Sequence, residues 1–493
     1  MGLSSAWDVA TTSLATNAGL TSIVSRNIAN AQNSAGYVST KSANLATASN
    51  GAAAILSIGD LSNAALFNAM LAGNSASAAA SALSDGVARL QQTVSDAAST
   101  AEAAQAAHSP ATLVEALSAA LQAYSPSPDS SVAGGVLQAA KNLALGLNSA
   151  SATVANVRQT ADRDMADSVA TINGLLAQFQ DVNTAIVKGT ASGADISDAL
   201  DHRNTILQSL SNQIGITTTT NGAGSMSIYA DSGATLFDVS ARSVTMTQTN
   251  VFSATTAGAA VYVDGVPVTG ANAAMPIQSG ALAGLANLRD NVATQYQAQL
   301  DSIAGGLVNA FAETNGSTGA KAPGLFTYAG ASGVPGAYPV PGLAAEISVS
   351  GAVDPAQGGN LDLIRDGGIN GAAFVANTTG ASGFSTLVEQ DITALSAPMA
   401  FPSAGGLSAT ASPASYAADS ASWLNAQYQS AKNEASYHST LLSEASQALS
   451  NATGVNIDAQ MSKLLDLENS YQASAKLIST INNMFGALLQ AVV

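Results

Sequence analysis

Each end of the sequence carries an apolar seam of heptad spacing. Leu3, Trp7, Ala10, Leu14, Asn17, Thr21, Val24 and Ile28 step by four and three, the a/d pattern of a helix that packs lengthwise on a partner. Asn17 and Thr21 are polar intrusions, which set register at a cost in stability. After Ile28 the residues Asn30, Asn33, Ser34 and Gly36 accumulate before Tyr37, as at a helix stop and turn. At the other end Leu464, Leu467, Tyr471, Ser474, Ile478, Ile481, Phe485 and Leu488 repeat the spacing almost to Val493. Chain ends fray unless tied down. The two seams therefore predict N- and C-terminal helices paired as a coiled coil. Two unrelated amphipathic helices in one core are the other reading the pattern allows.

Between the seams the periodicity changes several times. Residues from about 60 to 165 are rich in Ala, the best helix former, with a break at Pro126 and Pro128. A clean stripe follows at Val169, Ile172, Leu176, Phe179, Val182 and Ile186, then a Gly/Ser loop over 189–193, then a second helix with Leu200, Leu207, Leu210 and Ile214. From Ile216 the pattern turns to strands. Met226 and Ile228, then Val244 and Met246, alternate with polar residues. Val261-Tyr262-Val263, Asp264-Gly265 and Val266-Pro267-Val268 predict a hairpin with a two-residue turn. Helix returns over about 279–315. A Gly- and Pro-rich stretch follows to about 412, with one helix near Phe384 to Leu395.

This order predicts a mainly α fold with β insertions, an elongated multidomain molecule with both termini at one end. Four units follow. Residues 1–45 with 455–493 form a terminal coiled-coil domain. Residues 46–215, 279–320 and 412–454 form a helical bundle. Residues 216–278 form a β-rich insertion, and 321–411 a second, Gly/Pro-rich one.

Composition excludes several functions. Net charge is −17, with only 15 Lys and Arg residues, so the basic footprint that nucleic acid or an anionic membrane requires is missing. No uninterrupted apolar run reaches the roughly 18 residues of a membrane span, and the first residues do not read as a cleaved export signal. Charged residues make up 10%, well below the roughly 25% of ordinary soluble domains; small polar side chains and Ala fill the difference and suit long, close helix packing. With no cysteine, disulfides, thiolate zinc sites and Cys nucleophiles are excluded. This fits a cytosolic chain lacking Cys by chance and an exported chain that must travel unfolded.

Catalytic patterns are also missing. His108, His202 and His438 are scattered, without metal-ligand spacing. His202 stands between Asp201 and Arg203, as an oriented base or, more simply, on a solvated helix face. Asp362 and Asp366 read as a cation site or as ordinary loop carboxylates. There is no nucleophile elbow, phosphate loop or dinucleotide fingerprint. No catalytic, cofactor or metal site is expected, and the chain reads as a non-enzyme.

Two end motifs and three internal ones carry a resemblance. Asn27-Ile28-Ala29-Asn30-Ala31 followed by Ser34-Ala35-Gly36-Tyr37, and Ser470 to Ile481 followed by Met484-Phe485, resemble the flagellar axial proteins (rod, hook and hook-associated proteins). Ala35 replaces the family's usual Pro. Val169 to Asn173, Asp198 to Asn204, and Leu285 to Ala304 narrow the resemblance to hook-associated protein 1, the first hook–filament junction protein. The two insertions match weakly. The resemblance implies a structural subunit of the bacterial flagellum that joins hook to filament. It implies secretion through the flagellar type III apparatus and location at the hook–filament junction. Partners implied are other copies of itself, the hook protein, the second junction protein, and an export chaperone on the C-terminal helix. The assembly interface implied is the terminal helices: Leu14, Val24, Asn27, Ile28, Asn30, Tyr37, Leu464, Leu467, Tyr471, Ile478, Ile481, Phe485 and Leu488. Another axial protein (hook protein or second junction protein) is the nearer alternative, and a secreted adhesin or hydrolase on an axial scaffold the more distant one.

Overall fold

A computed structural model describes residues 2–31, 39–95, 109–222, 224–331, 333–335 and 340–492. Helix α1 (Leu3–Ala31) is followed by an antiparallel hairpin, β1 (Lys41–Thr47) and β2 (Ala53–Asp60), with Lys41 opposite Asp60. The hairpin lies across the expected boundary at 45/46, and β2 packs on α1 and also on the helix Ser197–Gln213. Asn50-Gly51 supplies the turn, with Gly51 at φ 87°. That dipeptide is a hairpin signal, hidden by the Ala- and Ser-rich strands around it.

Helix α2 (Ala64–Gln91) starts at Asn63, whose side chain accepts from the Leu66 amide. Then come α3 (Pro110–Tyr124) and α4 (Ser130–Ser192), the latter 63 residues long and capped by Asp129. The expected loop at Gly189 is helix instead. Gly189 lies under Ile196, leaving no room for a Cβ. The chain turns only at Gly193, a left-handed C-cap with φ 70°. Helix α5 (Ser197–Gln213) returns along α4.

The β-rich insertion holds two small antiparallel sheets. One is β3 (Ile216–Thr220), β4 (Met226–Ala230) and β5 (Thr235–Phe237); the other is β6 (Val244–Thr245), β7 (Tyr262–Val263) and β8 (Val266–Pro267). Met226 and Ile228 alternate inward as the sequence predicts, and Ala230 continues the alternation. Asp264 and Gly265, both at positive φ, form the two-residue turn between β7 and β8. Helix α6 (Ala281–Asn287) passes through a π-turn at Leu288–Val292 into α7 (Ala293–Ala310). Helix α8 (Thr386–Ser396) is the one predicted inside the Gly/Pro-rich stretch. Two long helices close the chain, α9 (Pro413–Thr453) and α10 (Ile457–Val492).

The two insertions share one core with the bundle. Ile228, Phe237 and Val263 from the first, and Phe326, Leu343, Val353, Val388 and Phe401 from the second, join the same continuous apolar cluster as Leu143, Leu176 and Leu300. The second insertion thus packs on the bundle through this shared core. Polar clamps hold it there. Asp301 of α7, buried, accepts from the Gly342 and Ala344 amides at 2.9 Å each. Asn148 of α4 donates to the Ala344 and Ile347 carbonyls.

A similar clamp holds the irregular 249–259 segment. Arg158 donates to the carbonyls of Arg289, Ser253 and Thr256. Arg289, fully buried in the π-turn, pairs with Asp162 and Asp290 and donates to the Ala259 carbonyl. The other Asp162 oxygen accepts from the Thr249 amide.

Candidate assembly interface

Helices α1 and α10 run antiparallel. Asn17 donates to Ser470 at 2.9 Å and Asn27 to Gln460 at 3.2 Å, so the register advances along α1 as it retreats along α10. The seam of α10 is buried at every seventh residue, Gln460, Leu467, Ser474 and Ile481, while Leu464, Ile478 and Phe485 are half-buried. On α1, Ala10, Asn17, Val24 and Asn27 are buried, and Leu14, Ile28 and Asn30 half-buried. Of the two polar residues that interrupt the N-terminal seam, Asn17 pins the register, whereas Thr21 donates to the Asn17 carbonyl within its own helix. Asn27 does more: its carboxamide accepts from the Lys41 amide and donates to the Lys41 carbonyl, each at 2.9 Å. It ties the end of α1 to the start of the hairpin. Tyr37 lies outside the described residues.

The hairpin covers the other side of α1. Thr16 donates to the Ala53 carbonyl, Asn50 to the Asp8 carbonyl and Thr12 hydroxyl, and Gly19 makes room for Ile55. Sequence reading missed this packing because the hairpin itself was missed.

Helix α10 is covered on one side only. Met461, Leu465, Tyr471, Leu477, Met484, Leu488 and Leu489 are exposed, Leu465 by 59% and Leu489 by 70%. Two of the predicted seam residues are in this group. Leu488 runs past Leu3, where α1 begins, because of the antiparallel register. Tyr471 borders a groove of about 450 Å³ left by the small side chains of Ala18 and Thr21, with Leu464, Leu467 and Glu468 as its other walls. Isolated exposed apolar residues are ordinary, but a succession along one helix marks an interaction surface.

Where the terminal helices meet the body, charge is concentrated. Lys41 is fully buried. Its ammonium lies 2.8 Å from Asp201, 3.3 Å from Asp198 and 3.6 Å from Asp60. Burial works against the Lys41 charge, but the Asp201 hydrogen bond and the Asp60 charge outweigh it and hold its pKa above the ordinary value. Arg26 of α1 reaches Asp195 at 2.9 Å and Asp198 at 3.7 Å.

The candidates for chemistry have other occupations. His202 is exposed, and its neighbour Asp201 is engaged with Lys41 and Ser39. His438 lies edge-on to Tyr437, and His108 is outside the described residues. Asp362 and Asp366 flank Arg365, which pairs with both, so their charge is answered from within the chain. Among the described residues no group of three His, Asp or Glu side chains is placed to hold a metal ion, and no helix is long and apolar enough to cross a membrane.

Residues 103–324, from the approach to α3 through α7, match the sequence profile of the flagellar hook-associated protein FlgK helical domain. Over this central stretch, a little under half of its length, the chain is similar to the FlgK family. Residues 445–491, which include α10, match the C-terminal domain of the flagellar basal body rod FlgEFG proteins, as expected of an axial component. The family is a structural one. No curated protein matches this chain. Among solved structures it is similar to the flagellar hook junction protein FlgK from Burkholderia pseudomallei, at 21% identity and a TM-score of 0.42. That likeness covers 53% of this chain and 46% of the other, so this chain matches about half the length of that relative.

Proposed function

We propose that this chain is a structural subunit of the hook–filament junction, exported through the flagellar type III apparatus and built in through its terminal helices. One observation carries the reading: in a chain similar to the FlgK family, α10 packs one face on α1 and leaves its other apolar residues uncovered. Burying a Leu or Met side chain stabilises by about 1.5–3 kcal/mol. A few such side chains per copy, repeated around a ring, hold an assembly without chemistry. In this reading the partners are further copies, the hook protein and the second junction protein, and before assembly an export chaperone covers the same helix. The chain has no enzymatic role in the proposal; its buried polar groups serve as clamps between segments.

Leu477 and Met484 separate assembly from folding, because both are exposed and lie seven residues apart on one face of α10. The double substitution Leu477→Asp, Met484→Asp is expected to leave the unfolding midpoint of the isolated protein unchanged while abolishing incorporation and filament growth. Normal filaments on cells carrying only this variant would overturn the proposal.

A further inference from the structure

The terminal unit, α1 with the hairpin and α10, joins the body through the chain crossings after Asp60 and Thr453 and through packing of β2 against α5. Thr40 adds bonds to the Thr453 and Gly454 carbonyls. Charges across this joint are sorted. The cations Arg26 and Lys41 belong to the terminal unit, and the carboxylates Asp195, Asp198 and Asp201 belong to α5 and the turn before it.

Asp60 breaks the pattern. It is a carboxylate on the cations' side, with its side chain only 6% exposed, and neither of its oxygens accepts a hydrogen bond. Its nearest cation, Lys41, makes closer contacts with Asp201 and Asp198. An ionised Asp60 therefore competes for one ammonium and repels the α5 carboxylates at low dielectric. Other charged groups here are Arg203 of α5, buried and bonded to the Gly224 carbonyl, and the exposed His202. The nearby α2 and α9 side chains, Asn63, Phe67 and Leu449, are uncharged.

We infer that Asp60 is a protonation-controlled release for the joint between the terminal unit and the body. When neutral, it leaves Lys41 and Arg26 to hold α5, and the angle between the two parts is fixed. When charged, it weakens that grip and the angle varies. Burial pushes the Asp60 carboxyl up to about 6, against the opposing pull of Lys41, so the change falls between mildly acidic and neutral solution. This goes beyond the proposed junction role and does not depend on it.

The full chain has no cysteine, so a single pair of nitroxide labels can be introduced at Thr184→Cys on α4 and Asn469→Cys on α10, both exposed positions. Pulsed dipolar spectroscopy then reads the distribution of distances between body and terminal unit. The expected result is a broad distribution near neutral pH that narrows at about pH 5, and with Asp60→Asn a narrow distribution at both. Asp60→Ser carries the same expectation should Asp60→Asn not fold. A wild-type width that does not change with pH, or a substituted chain that keeps the pH response, would overturn the inference.

Discussion

At the level of single residues, the informative positions are polar ones in apolar surroundings. Asn17 was legible as a seam interruption and has a partner across the pair; Thr21, the other interruption, bonds only to the Asn17 carbonyl of its own helix, and Asn27, beside the seam, bonds across to Gln460. Lys41, Asp60, Asp162 and Arg289 were not legible, because a buried charge leaves no trace in periodicity and its partner lies far off in the chain. Asp60 makes a pH-dependent prediction. Its folded pKa is raised to about 6 from 3.8, chiefly by burial. The folded state thus holds the proton more tightly, and the stability this confers is complete below about pH 4 and lost as pH rises through about 6. Asp60→Asn should therefore raise stability near neutral pH by roughly 2–3 kcal/mol and change it little near pH 4, as read by urea unfolding at both pH values. An equal effect at both would show that Asp60 is not the titrating group. Asp162 offers a second test. Asp162→Ala leaves the Thr249 amide without its acceptor and Arg289 without one of its two carboxylates. Breaking a buried pair of this kind costs about 3–5 kcal/mol, and amide exchange over 249–259 should accelerate before the bundle loosens.

Among the elements, periodicity was enough for the long helices and for the Asp264-Gly265 hairpin, where side-chain spacing and turn chemistry agree. It failed for β1–β2, since Ala-rich stretches read as helix and the hairpin packs on α1 and α5, which the spacing of its own side chains does not reveal. It also failed for the anchoring of 321–411, which depends on isolated apolar side chains and on the carboxylate of Asp301. Close approaches between helices were equally hidden. Gly284 of α6 crosses α2 where a Cβ would stand 2.2 Å from the Ala79 carbonyl oxygen. Gly284→Ala must push two helix backbones apart and should cost about 1–3 kcal/mol, measured as a lowered unfolding midpoint; a neutral effect would mean the crossing is looser than described. For the terminal pair, Ile478→Asp or Phe485→Asp should leave the bundle helices folded by circular dichroism yet abolish incorporation, and normal filaments would sink the seam argument.

Taken as a whole, the molecule is a long helical body whose two ends return as one helix pair at one end. The 169–173, 198–204 and 285–304 segments and the C-terminal motif at 470–485 fall within the profile matches at 103–324 and 445–491, whereas the N-terminal motif at 27–37 lies outside both. The proposed assembly face was only half legible. The seam residues identified the intramolecular pair; of the residues left uncovered, Tyr471 and Leu488 are on the seam, whereas Leu465, Leu477 and Met484 stand off it and need the register to be found. The central proposal is that the terminal helices place this chain at the hook–filament boundary, with the β-rich insertion left accessible. It is tested most directly by immunogold labelling of isolated hook–filament structures with an antibody to residues 216–277. The account predicts a single band of gold at the boundary; gold along the whole hook or filament, or none on either, would contradict it.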